Sequence, residues 1–156
     1  VAGGGAGGAG RVPPPFVSYV GLPEELTKLA AEADFVVNTV PLTPATTAMF
    51  DAKFFAAVKP GAFFVNVGRG RSVVQTELVA ALKSGRLGGA GLDVTDPEPL
   101  PADSPLWQMQ NVILTPHVSA DSDLGDEARF AIGIENLRRY VAGEKMLSVV
   151  DVAKGY

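Results

Sequence analysis

The chain has 156 residues, 47% of them hydrophobic and 19% charged, which suits one folded domain with its own core and excludes a disordered segment. Thirteen basic against 17 acidic side chains leave a net charge of −4, a poor balance for a nucleic-acid or anionic-membrane surface. With no cysteine and with His117 as the single histidine, disulfides, thiolate nucleophiles and imidazole-rich metal sites are excluded.

Glycine is the compositional anomaly: 18 in all, six of them among the first ten residues, VAGGGAGGAG. The run satisfies G-x-G-x-x-G twice, at Gly3-Gly5-Gly8 and at Gly5-Gly7-Gly10. A dinucleotide fingerprint needs a buried strand before its glycines and an amphipathic helix after them, so that backbone N–H groups reach the pyrophosphate. Only Val1 and Ala2 precede this run, and Pro13, Pro14 and Pro15 follow it, where a helix cannot form. Residues 1–15 are therefore expected to be a flexible Gly/Ala/Pro-rich linker.

Downstream, Phe16 to Val20 (FVSYV) reads as a short edge strand, and Leu22 to Ala33 as a helix with Pro23 in its first turn. Asp34 to Val40 is an apolar run stopped by Pro41, the pattern of a buried parallel strand. A helix over Asp51 to Val58 leads to a strand over Ala62 to Val67. Thr76 to Lys83 reads as a helix with Thr76 at its N-cap and Gly85 closing it. Strands over Gly89 to Val94 and Asn111 to Leu114 flank a proline-rich loop, Asp96 to Pro105, and a long helix runs from Asp123 to Val141. Short apolar strands alternating with amphipathic helices predict an α/β fold with a mostly parallel sheet. No signal peptide is recognisable, and no apolar run approaches the roughly 18 residues of a membrane span.

Ligands of open parallel sheets bind beyond the carboxyl ends of the strands. Those ends carry Pro41 and Thr43, then Gly68 and Arg69, then Asp93, then His117, with Glu98 in the loop between the last two strands. One cation, two carboxylates and one imidazole thus fall on a single rim.

The words ADFVVNTVPLTPAT, KPGAFFVNVGRG, GAGLDVTDPEPLP and NVILTPHVS stand in the order and spacing of one family. From Phe16 to Tyr156 the chain resembles the C-terminal part of the D-isomer-specific 2-hydroxyacid dehydrogenases, such as glyoxylate/hydroxypyruvate reductases and phosphoglycerate dehydrogenases. The resemblance implies an NAD(P)-binding Rossmann domain over residues 16–142, lacking its first two strands. Residues 143–156 would be a tail that packs on an absent substrate domain. It also implies a small 2-oxo or 2-hydroxy acid substrate, NAD or NADP as cofactor, a homodimer in the full-length family and a cytoplasmic setting.

Carried over motif by motif, the catalytic residues are Arg69, Glu98 and His117. Arg69 of Asn66-Val67-Gly68-Arg69-Gly70 would clamp the substrate carboxylate and 2-oxo group through its planar guanidinium. His117 of Thr115-Pro116-His117 would be the acid/base, and Glu98 of Pro97-Glu98-Pro99 would pair with it and hold it protonated. Asp93 would bind the nicotinamide carboxamide. Val40, Pro41, Thr46, Val67, Gly68, Arg69 and His117 would line the rest of the cofactor site. Trp107 of the SPLW stretch is expected to pack, and Arg71 to face solvent.

In the usual Rossmann strand order, loss of the first two strands would detach FVSYV from the sheet and leave the Asp34–Val40 strand as an exposed apolar edge. Turnover by this chain alone is not expected on that basis. The competing reading is a catalytically inactive Rossmann remnant that pairs with another protein through that edge.

Overall fold

The computed structural model describes residues 14–153. All but the last two residues of the expected linker, and all of the glycine run, lie outside the described residues. A 3₁₀ turn at Pro23–Glu25 precedes α1 (Leu26–Glu32), β1 (Phe35–Asn38), α2 (Ala52–Ala57) and β2 (Ala62–Asn66). Then come α3 (Gln75–Lys83), β3 (Leu87–Leu92), a 3₁₀ turn at Pro105–Gln108, β4 (Val112–Leu114) and α4 (Asp123–Val141).

The four strands form one parallel sheet whose spatial order is the chain order. This is the α/β architecture of a partial Rossmann domain that the sequence predicts. Parallel neighbours cannot be joined by hairpins, so α2 and α3 carry the chain back to start β2 and β3, and the segment holding the Pro105–Gln108 turn carries it back to start β4. The register sets two faces. Val36, Phe64, Ala90 and Val112 share one row, and Asn38, Asn66, Leu92 and Leu114 the next on the same face. Against this face pack Ala30 of α1, Phe54, Phe55 and Val58 from α2 and its end, and Leu78 and Leu82 of α3, all buried.

The centre of that core is aromatic. The rings of Phe50, Phe54, Phe55 and Phe64 meet edge to face at centroid separations of 4.9 to 6.0 Å, the arrangement favoured by the ring quadrupole. Asp51 starts α2 by accepting a hydrogen bond from Phe54 N at 2.9 Å, which occupies an otherwise orphaned amide and fixes where Phe54 and Phe55 point.

The opposite face is open. Phe35 (64% exposed) stacks on Phe63 at 5.2 Å, and Val37 and Ile113 (71% exposed) continue the apolar surface. The run from Asp34 to Val40 is thus an exposed edge strand rather than a buried one.

Three local expectations are corrected. The segment from Phe16 to Val20 is not a strand: Val17 N bonds Pro14 O in a turn, and Phe16 is exposed. Its β-branched and aromatic residues favour extension, but propensity without a neighbouring ladder does not hold a strand. The helix expected over Leu22 to Ala33 is divided, because the Glu25 carboxylate accepts from Leu22 N at 3.0 Å and tightens the first turn into 3₁₀ geometry. The N-cap of α3 is Val74, not Thr76. Val73 bridges Phe50 and Val74 N bonds Phe50 O, which pins those residues as extended chain and starts the helix directly after them. Gly85 does close α3, with φ +74° just after Ser84. No described helix is long and apolar enough to cross a membrane.

Truncating the aromatic centre should be costly. Phe64→Ala is expected to lower the unfolding free energy by about 3–5 kcal/mol in urea denaturation, and a loss below about 1 kcal/mol would show that the ring cluster is not the centre of stability.

Candidate active site

All four strands point the same way, so the segments following them share one rim. The histidine segment is built by Asp93. After β4, Thr115 N bonds Leu92 O at 3.0 Å and His117 N bonds Asp93 O at 2.9 Å. The Asp93 carboxylate accepts from the Thr115 hydroxyl (2.6 Å), Val118 N (2.9 Å) and Ser119 N (3.0 Å). Between these anchors His117 sits at φ +58°, a left-handed conformation uncommon outside glycine. Strain of this kind persists where surrounding contacts over-determine it, and here five hydrogen bonds do so. Burial opposes ionisation of Asp93, but the donors from Thr115, Ser119 and Val118 outweigh it and hold the carboxyl well below the usual carboxylate range.

Glu98 reaches the same histidine from the loop after β3, with Oε1 2.6 Å from His117 Nδ1 and both side chains about half exposed. The contact occupies Nδ1 and leaves Nε2 as the ring nitrogen available to a ligand. The two residues border a cavity of about 600 Å³ also lined by Asp93, Leu100, Trp107 and Thr115. Trp107 was expected to pack. It is 50% exposed, anchored by an indole N–H bond to Pro101 O at 2.8 Å, and serves as a wall of that cavity.

Arg69 lies on the same rim but is not among the residues lining the cavity. It is exposed, donates from Nη1 to Gly68 O at 2.8 Å, and has no ion pair among the described residues. Its two flanking glycines make close approaches. A Cβ on Gly68 would stand 2.9 Å from Val40 O, and one on Gly70 only 1.8 Å from Thr95 O. Arg71 faces solvent, as expected.

The expected cofactor residues Val40, Pro41 and Thr46 belong to the segment after β1. Thr46 shapes that segment: its hydroxyl donates to Pro41 O at 2.6 Å and accepts from Thr43 N at 2.8 Å. Val67 N bonds Asn38 O at 3.1 Å, so this segment and the arginine segment run side by side.

Sequence reasoning missed Thr115, and it missed the buried group of Asn38, Asn66 and Ser72 beneath the rim. Two asparagines closing otherwise apolar strands, FVVN and FFVN, were the available signal, since asparagine is depleted in strands unless its amide is satisfied.

Residues 16–119 match the family model of the D-isomer specific 2-hydroxyacid dehydrogenase, NAD binding domain. The chain belongs to this family. A 2-hydroxyacid dehydrogenase of Xanthobacter autotrophicus, solved with NADPH and MES, superimposes with a TM-score of 0.78 at 42% identity, over 85% of this chain and 54% of that one. The NADPH-dependent glyoxylate/hydroxypyruvate reductase of Sinorhizobium meliloti, solved with NADP and sulfate, gives 0.77 at 39% identity, over 85% and 43%. An uncharacterized protein of Corynebacterium melassecola is 44% identical over 126 residues, 81% of this chain and 41% of that protein. The chain thus spans about half the length of the relatives it matches.

The family domain binds NAD, and the Xanthobacter and Sinorhizobium relatives were solved with NADPH and NADP. The rim fits the nicotinamide end of such a cofactor, offering a cavity with an apolar wall at Leu100 and Trp107 beside the polar atoms of Thr115 and His117. The Asp93 oxygens that the family pattern directs to the carboxamide already accept three donors of the histidine segment, two on Oδ1 and one on Oδ2, which leaves Oδ2 the less occupied of the two. Among the described residues no strand runs into a G-x-G-x-x-G turn, so they form no pyrophosphate cradle of that kind. No group of three or more described acidic or histidine residues could hold a metal ion.

The depressed Asp93 titration sets a pH dependence. A carboxylate whose folded pKa lies below its unfolded value contributes stability above about pH 4, and that contribution is lost as the pH falls from there. Asp93→Asn is therefore expected to be less stable than wild type at pH 7 by about 1–3 kcal/mol, with the gap closing in acid. Parallel denaturation curves at pH 7 and pH 3 check this; an unchanging gap would assign the loss to packing alone.

Proposed function

We propose that this chain carries the acid/base half of an NAD(P)-dependent oxidoreductase that interconverts a small 2-oxo acid, such as glyoxylate or hydroxypyruvate, with its 2-hydroxy acid. The observation that supports this most is the Glu98–His117 contact at 2.6 Å on the border of the cavity. An imidazole has one nitrogen that can accept a proton and another that can donate one, which suits it to proton transfer in either direction. With Nδ1 held by Glu98, Nε2 donates a proton to the carbonyl oxygen during reduction and takes it back during oxidation. Glu98 stabilises the imidazolium in this reading, and Asp93 keeps the histidine segment in its left-handed turn. Arg69, exposed and without a carboxylate partner among the described residues, is suited to receive the substrate carboxylate. Bound nicotinamide supplies or accepts the hydride.

Asp93, Val40, Pro41, Thr46, Val67 and Gly68 are proposed to shape the cofactor side of the rim. A homodimeric assembly and a cytoplasmic setting belong to the same reading.

The test is reduction of glyoxylate or hydroxypyruvate with NADPH, followed by absorbance. His117→Ala is expected to lower the rate about 10²–10⁴-fold, and Arg69→Ala to act mainly on KM for the 2-oxo acid. Turnover that survives both substitutions would remove these residues from the mechanism. Fluorescence titration with NADPH separates binding from chemistry: saturation would show that the chain holds the cofactor without a described glycine turn.

A further inference from the structure

Beneath the rim, three polar side chains are almost wholly withdrawn from water: Asn38 and Asn66 at 1% exposure and Ser72 at 0%. Asn38 Nδ2 donates to Asn66 Oδ1 at 2.8 Å and to Ser72 Oγ at 2.7 Å. Two backbone amides complete the acceptors, Val40 N on Asn38 Oδ1 and Gly68 N on Asn66 Oδ1, each at 3.1 Å. Three donors then converge on one carbonyl, that of Arg69: Asn66 Nδ2 at 3.2 Å, Ser72 Oγ at 2.6 Å and Ser72 N at 3.2 Å.

We propose that Asn38, Asn66 and Ser72 act as one positioning unit that sets the Arg69 backbone and couples it to the Val40–Pro41 segment. The unit rests on the reading of Arg69 as the substrate's carboxylate ligand. It touches no reacting atom in that reading; it acts through Arg69.

The physical argument is one of satisfaction at low dielectric. A buried amide or hydroxyl without a partner forfeits its hydration with nothing in return, so the group is favourable only when all its bonds form together. Those bonds run to both segments at once. Asn38 accepts from the cofactor-side segment through Val40 N and donates to Ser72, which in turn holds Arg69 O. Gly68 lets the two segments touch, because a Cβ there would stand 3.1 Å from Asn38 Nδ2 as well as 2.9 Å from Val40 O. A shift of either segment therefore breaks bonds belonging to the other.

Amide hydrogen exchange on the full chain, measured without cofactor or substrate, tests the coupling. Ser72→Ala removes one donor to Arg69 O and one acceptor for Asn38. It is expected to speed exchange at Val40, in the other segment, and at Ser72 and Val73 together by about tenfold, while ladder amides of β2 and β3 stay within about twofold. Ser72→Thr, which keeps the hydroxyl, should restore protection. Asn38→Asp, which keeps the volume but removes the donor pair, should reproduce the Ser72→Ala pattern and serves if that variant fails to fold. Faster exchange confined to residues 72–73, or a uniform rise across the sheet, would overturn the proposal. Because no substrate is involved, the outcome is separable from the dehydrogenase reading, which falls instead if Arg69→Ala leaves both KM and kcat for the 2-oxo acid unchanged.

Discussion

The register of the parallel ladder is the constraint on which the rest depends. It brings Asn38, Asn66, Leu92 and Leu114 into one row, the last row of the sheet. Arg69 and His117 lie three positions beyond that row and Glu98 six, so the sheet acts as a common datum for otherwise independent segments. Parallel strands allow this and hairpins would not, because a hairpin alternates the ends at which loops emerge. The aromatic packing of Phe50, Phe54, Phe55 and Phe64 protects the datum from one side, locking α2 against β2. Stability and geometry of the site thus have one origin, although the residues carrying each are different.

Much of this was legible in the residues. Apolar runs of strand length between helical patterns give four parallel strands, because burial against helices is what such runs require. The meeting of Glu98 and His117 was legible only through the family motifs, since they stand 19 positions apart across proline-rich loop, turn and strand. What escaped depends on partners. FVSYV has the composition of a strand and no ladder to join. Thr76 has the chemistry of a cap, but Val74 occupies that position because Phe50 holds it extended. The role of Asp93 as organiser of the His117 segment also escaped, since hydrogen bonds across 22 to 26 residues leave no local signature.

The sheet carries a helical layer on one face only among the described residues. A doubly wound sheet carries helices on both, and the exposed side chains of Phe35, Val37 and Ile113 lie where a second layer would pack. On α4, Phe130, Ile134, Leu137 and Val141 recur at helical spacing and are likewise exposed.

Gly70 has a consequence of a different kind. Its α-carbon faces the Thr95 carbonyl with no room for a methyl group, so the backbone that bears the guanidinium and the backbone that leads to Glu98 share a seam one atom wide. Sliding along such a seam is blocked in the direction of approach, and parting it would expose polar backbone groups on both sides. The segments bearing the positive and the negative charge of the rim therefore meet at a contact containing no side chain at all, and a side chain placed at Gly70 meets an obstacle that sequence variation at exposed positions nearby cannot relieve.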